Sequence, residues 1–103
     1  MVVAYCQSGL ANCLFRQGDI RQAKALYRAT LRIYRQFAAR RAEGWILWNL
    51  AHTAALEGHS DRIEPLLRAS ETHFHQRNEA AGIACCAAAR RSEWAQAREP
   101  VRQ

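Results

Sequence analysis

The sequence predicts an all-α chain: a short α-solenoid of antiparallel helix hairpins, about five helices in all. Three observations carry that prediction. Alanine is the commonest residue, while glycine and proline number only five and two among 103, a balance that favours helix. Apolar residues recur at three- and four-residue spacing along the segments between turn signals. Gly18 and Gly58 each interrupt such a pattern, forty residues apart, so the punctuation itself repeats.

The first helix runs from about Val2 to Gln17, and Gly18 ends it as a C-terminal glycine should. Asp19 follows at once and can cap the second helix, about Ile20 to Ala38, by accepting from amides left free in its first turn. In that helix Ala23, Leu26, Tyr27, Thr30, Ile33, Tyr34 and Phe37 form one broad apolar stripe. The third helix spans about Ala42 to Glu57 and closes on Gly58, with Leu47, Leu50, Ala51 and Ala54 as its packing stripe. The fourth begins at Ser60 or Asp61, with Asp61 and Glu64 spaced as a capping box and Pro65 expected near the first turn. It presents Ile63, Leu66, Leu67, Ser70 and Phe74 and fades around Arg77-Asn78. A fifth helix, about Glu79 to Ala97, carries the small-residue run Ile83–Ala89 before turning polar. One repeat domain over 1–97 follows, with hairpins 2–38 and 42–77, a closing helix 79–97 and a polar tail 98–103.

Setting Gly18 on Gly58 brings Leu10-Ala11 onto Leu50-Ala51, Leu26 onto Leu66, Tyr27 onto Leu67, Ala29 onto Ala69 and Tyr34 onto Phe74 without a gap. The next register is shorter, with Gly44 on Gly82 and Leu50-Ala51 on Ala88-Ala89. A hairpin of this length cannot bury its apolar face alone, so neighbours must stack. A plain helical bundle is the alternative arrangement.

Length allows one domain with a modest core. The net charge is +6, and Lys24 is the one lysine among fifteen cations. So lopsided a ratio beside abundant alanine fits codon bias as well as placement. The longest uncharged runs, Met1–Phe15 and Gly44–Leu56, fall short of the roughly 18 residues a membrane helix needs, and Met1-Val2-Val3-Ala4-Tyr5 lacks the basic n-region expected of a secretory signal. Cys6, Cys13, Cys85 and Cys86 form no CxxC pair and no zinc spacing. Cys6 and Cys13, seven apart, are expected as small buried hydrophobes, and a vicinal Cys85–Cys86 bridge would be strained. Free thiols and a cytoplasmic location are the expectation.

Leu10-Ala11, Leu14, Gly18-Asp19-Ile20, Ala23, Tyr27 and Leu31 resemble the signature positions of the tetratricopeptide (TPR) repeat. The second copy keeps Leu47, Leu50-Ala51, Gly58 and Leu67. It departs at His59-Ser60, at Ile63 where a small residue is usual, and at Glu71 in an apolar position. The resemblance covers about residues 4 to 92 and is nearest to arrays in bacterial signal-transducing ATPase and LuxR-type transcriptional regulators. It implies a right-handed superhelix and a protein-binding role. The chain itself carries no phosphate loop and no separate DNA-reading domain.

Chemistry is sparse. Ser60, His59 and Asp61 are consecutive in a turn and point apart, where a triad must converge. His73 and His75 lie about 200° apart around a helix and cannot share a metal. No carboxylate or histidine spacing makes an acid–base pair, so neither an enzyme, nor a metal, nor a cofactor is expected.

Two surfaces remain. Arg21, Lys24, Arg28, Arg32 and Arg35 step by three and four into one basic face on the second helix. Residues 1–42 carry +7 and residues 43–83 carry −3. The face is therefore a solvated surface, a dock for an acidic protein surface (the chain's own second half included) or, least expected, a non-specific nucleic-acid contact. On the third helix, Trp45, Trp48 and His52 form a stripe beside the packing stripe. The resemblance places a concave groove over Tyr5, Ser8, Asn12 and Phe15, then Trp45, Trp48 and His52, then Ile83, Cys86 and Arg90. Aromatic anchors among a few polar groups suit a bound peptide; the same tryptophans could equally be core. The expected function is a non-enzymatic protein–protein interaction module, with a small-ligand sensor within a larger regulator as a further alternative. Because Val2, Val3, Tyr5, Leu10, Leu14 and Phe15 precede any charge, a homodimer through the first helix is expected.

Overall fold

A computed structural model describes residues 2–92 and shows five helices: α1 (Val2–Arg16), α2 (Ile20–Gln36), α3 (Arg40–Glu57), α4 (Ser60–Gln76) and α5 (Ala80–Arg91). Each helix packs on the next in sequence, and α5 also touches α3. No strand occurs among the described residues. The sequence expectation for residues 93–97 of the closing helix, and for the tail, lies outside them.

The four turns are built alike and recur every twenty residues. Gly18, Ala38, Gly58 and Asn78 all adopt positive φ, at 89°, 54°, 78° and 54°. The residue after each donates its N–H back across the helix end: Asp19 to Leu14, Ala39 to Tyr34, His59 to Ala54 and Glu79 to Phe74, at 2.8–2.9 Å. This six-to-one bond, with the left-handed residue before it, satisfies carbonyls that the end of a helix leaves open. Two of the four turns use glycine, the residue that adopts positive φ without a Cβ penalty. Ala38 and Asn78 do the same without that freedom. Sequence reading carried the second helix through Ala38; the chain leaves the helix at Gln36 because Ala38 has turned left-handed.

Start signals are mixed. Asp19 caps α2 as expected, its carboxylate accepting from the Gln22 amide at 3.3 Å. The Asp61/Glu64 capping box does not form: His59 is the N-cap residue of α4 and makes no side-chain cap bond. Glu64 is instead drawn to α5, where it pairs with Arg90. Pro65 sits in the second turn, one turn deeper than expected, exposed and without breaking the helix. The third helix begins two residues earlier than expected, at Arg40.

Burial follows a forty-residue period. Ala23, Tyr27, Thr30 and Tyr34 of α2 are buried, and so are their counterparts Ile63, Leu67, Ser70 and Phe74 of α4. The shorter next register does not appear in the turns, since α3 and α5 start forty residues apart. Gly44 and Gly82 share a neighbour rather than a register, both lying against the Phe74 ring. One apolar cluster joins Ala4 and Ala11 of α1 to Tyr27, Leu31 and Tyr34 of α2 and Ile46, Leu47 and Leu50 of α3. A second joins Ala51 and Ala54 to Ile63, Leu67 and Phe74 of α4 and Cys86 and Ala89 of α5. The buried hydroxyls are satisfied, Thr30 within its own helix by donating to the Leu26 carbonyl and Ser70 across to α3 by donating to that of Gly44.

Charge pairs tie the helices crosswise. Glu43, only 2% exposed, lies 3.7 Å from Arg35, 3.6 Å from Arg40 and 3.3 Å from His73, so α2, α3 and α4 meet at one carboxylate. Lys24 donates to Glu57 at 2.8 Å, joining α2 to α3. Arg90 holds both Glu64 and Glu71 on α4, the closest approach being 2.6 Å. These paired carboxylates and their hydrogen bonds raise the Arg90 pKa further.

Candidate binding groove

Helical spacing puts Trp45, Trp48 and His52 on one face of α3, and the fold brings Phe15 of α1 and Phe74 of α4 against its two ends. The rings form a continuous row. Phe15 and His52 are 4.6 Å apart between centroids, His52 and Trp48 5.7 Å, Trp48 and Trp45 6.4 Å, and Trp45 and Phe74 4.8 Å. Most of these contacts are edge-on, the arrangement that the ring quadrupole favours. Phe74 is fully buried, whereas Phe15, Trp45, Trp48 and His52 are each only half-buried. The row therefore has a packed floor and an open side.

Beside it, Trp48 and His52 face Cys85, Ala88 and Ala89 of α5, and Ser92 just after it, across an open cleft of about 280 Å³. Short side chains on α5 leave that space open beside the half-buried tryptophan. At the other end of the row, Trp45 borders a wider depression of about 530 Å³ rimmed by Arg40, Arg41 and Arg77. Burial lowers the pKa of His52 from its usual value, so the imidazole in the row is neutral near pH 7.

The remaining sequence-predicted groove residues divide. Ile83 packs half-buried against the second apolar cluster. Tyr5 is exposed and outside the row of ring contacts. Asn12, though exposed, accepts a hydrogen bond from the buried Tyr27 hydroxyl and so fastens α1 to α2. Burial raises the Tyr27 pKa, and Arg16 partly opposes the rise. Ser8 bonds to the Tyr5 carbonyl of its own helix. Arg90 is held by Glu64 and Glu71. Cys86, which the resemblance set in the groove, is fully buried with its sulfur 3.7 Å from Ser70 Oγ, and burial raises its pKa. Position in a repeat gave its helix, but α5 is rolled so that Cys85 takes the open side.

The basic face is not uniform. Lys24 is engaged by Glu57 and Arg35 approaches Glu43, both acids of α3, whereas Arg21, Arg28 and Arg32 are exposed. Cys6 and Cys13 overturn their expectation: both are exposed on α1, because the helix seats Ala4 and Ala11 inward instead. Sequence reasoning missed Cys85 and Ala88 as cleft residues; the alanine run was visible, but not the side it turned outward. No group of three potential metal ligands gathers among the described residues, and no described helix is long and apolar enough to cross a membrane. No family model, curated protein or solved structure matches the chain, which leaves the geometry of the groove as the ground for its function.

Proposed function

We propose that this chain is a non-enzymatic protein-interaction module, its hairpins stacked as a short right-handed TPR-like solenoid, with the aromatic row on α3 receiving an apolar side chain from a bound protein segment. The observation that carries this reading is the half-open row Phe15–His52–Trp48–Trp45, set beside a cleft that alanines of α5 leave unfilled. A core built for stability alone would close over two tryptophans, since each carries a large apolar surface whose burial is favourable. Rigid aromatic anchors that stay partly open in the unbound chain are what interface hot spots use. The solenoid arrangement is supported by the equal spacing of the four turns and by the buried quartets forty residues apart.

The test is selection of a displayed random-peptide library on the chain, followed by affinity measurements on Trp48→Ala. Selected peptides are expected to bind the variant at least tenfold more weakly while its unfolding midpoint changes little. If Trp48→Ala instead costs about 3–5 kcal/mol of stability, as core truncations of tryptophan do, the residue is packing and the groove reading fails.

A further inference from the structure

We propose that the depression at the α2–α3 turn binds a small planar ligand carrying one phosphate monoester, of the nucleoside monophosphate kind. Arg40 and Arg41 open α3, Arg77 closes α4, and Trp45 stands one turn beyond Arg41. All four line one space of about 530 Å³, within the roughly 300–1,000 Å³ of small-molecule sites. Ala39 and Ala42 line it too, with side chains too short to fill it.

The ligand's charge follows from the rim. Arg41 lies 3.0 Å from Glu79. Glu43, near Arg40, is buried and is also approached by Arg35 and His73. Arg77 is exposed and pairs with no carboxylate among the described residues. With Glu43 set against Arg35, three guanidiniums face one carboxylate, a surplus of two positive charges. A phosphate monoester carries about −1.5 to −2 near pH 7, and the planar guanidinium fork matches its oxygens two at a time. Ala39 makes no side-chain cap bond, so the positive end of the α3 dipole adds to the same field.

The planar part follows from Trp45. Its indole rests on Phe74 at 4.8 Å and is only half-buried, and it borders the depression. A flat ring of the ligand can stack on what Phe74 leaves open. One ring and two surplus charges match one nucleotide; a strand needs a track of both. The repeat itself does not call for this set. Forty residues on, the same turn closes with the same bond, Glu79 to Phe74 as Ala39 to Tyr34. There Ala80, Ala81 and Cys85 stand in place of Arg40, Arg41 and Trp45. The fold makes this turn without arginine or tryptophan, so their gathering at one copy points to a ligand.

The test is calorimetric titration of the 103-residue chain with adenosine 5′-monophosphate, adenosine and inorganic phosphate. The monophosphate is expected to bind in the micromolar range, and each of the other two, offering half of its contacts, at least tenfold more weakly. Arg77→Ala is expected to weaken the monophosphate at least tenfold with the unfolding midpoint unchanged. Trp48→Ala, at the other end of the aromatic row, is expected to leave it unchanged, which separates this site from the peptide groove. A monophosphate that binds no more tightly than inorganic phosphate, or equally well to Arg77→Ala, overturns the proposal. So does tighter binding of O-phospho-L-tyrosine, which would assign the depression to a phosphorylated protein segment.

Discussion

Gly82 of α5 lies flat against the Phe74 ring of α4: a Cβ on Gly82 would come within 2.4 Å of two ring atoms. Phe74 has no room to yield, being fully buried and pressed by Trp45 from α3. The glycine sets how closely α5 approaches, and that distance determines the width of the cleft beside Trp48.

Gly82→Ala is therefore expected to destabilise the chain by about 1–3 kcal/mol, the range for overpacking a core. That outcome runs against intrinsic propensity, by which alanine gains roughly 0.8–1 kcal/mol over glycine within a helix. Gly9→Ala is the control, since a Cβ there meets nothing within 4 Å. It should stabilise by about 0.5–1 kcal/mol. Urea unfolding of both variants at low protein concentration checks the pair. Equal shifts of the same sign would show that Phe74 moves aside.

Much of this fold was legible because its signals are local. Gly18-Asp19 and Gly58 announce turns whatever packs on them, and the α2 stripe Ala23, Tyr27, Thr30, Tyr34 announces its buried face by spacing alone. Asn78, which tolerates positive φ, gave weak notice and Ala38 gave none, for the conformation Ala38 adopts is imposed by the turn it sits in and not by its own preference. The groove was half legible. Trp45, Trp48 and His52 share a face by arithmetic, and Phe15 joins them only because α1 crosses near α3. The pairing of Arg90 with Glu64 and Glu71 depends on how α5 is rolled on α4, which no window of sequence contains. Cys6 and Cys13 misled for a related reason: small apolar residues can mark a buried stripe or a bare one, and Ala4 and Ala11 are as small.

Ala38 supplies a second prediction. It holds φ 54°, a conformation that costs an L-residue with a Cβ roughly 1–2 kcal/mol. Glycine removes that strain but also makes the unfolded chain freer, a loss of about 0.4–1 kcal/mol. Ala38→Gly is expected to stabilise by about 0.5–1 kcal/mol. Asn78→Gly should gain less, because asparagine tolerates this region better. The check is a rise in urea midpoint at unchanged slope. A fall for Ala38→Gly would mean that its methyl group packs in the turn and outweighs the strain.

His52 carries the pH dependence of the groove. It is wedged between Phe15 and Trp48, and burial lowers its pKa below the ordinary 6.5. In the unfolded chain the imidazole takes up a proton as pH drops through 6.5; in the fold it resists until lower pH. Over that window the unfolded state binds more protons, so stability falls as pH falls. Above about 6.5 both states are neutral there and the contribution is constant. Every other side chain is common to wild type and the variant, so the informative quantity is a difference. From pH 7 to 5, wild type is expected to lose more stability than His52→Gln, whose side chain cannot titrate. Urea unfolding at half-unit pH steps measures both curves. Parallel curves would show that His52 is protonated as easily in the fold as outside it, and that the aromatic row is wet at its centre.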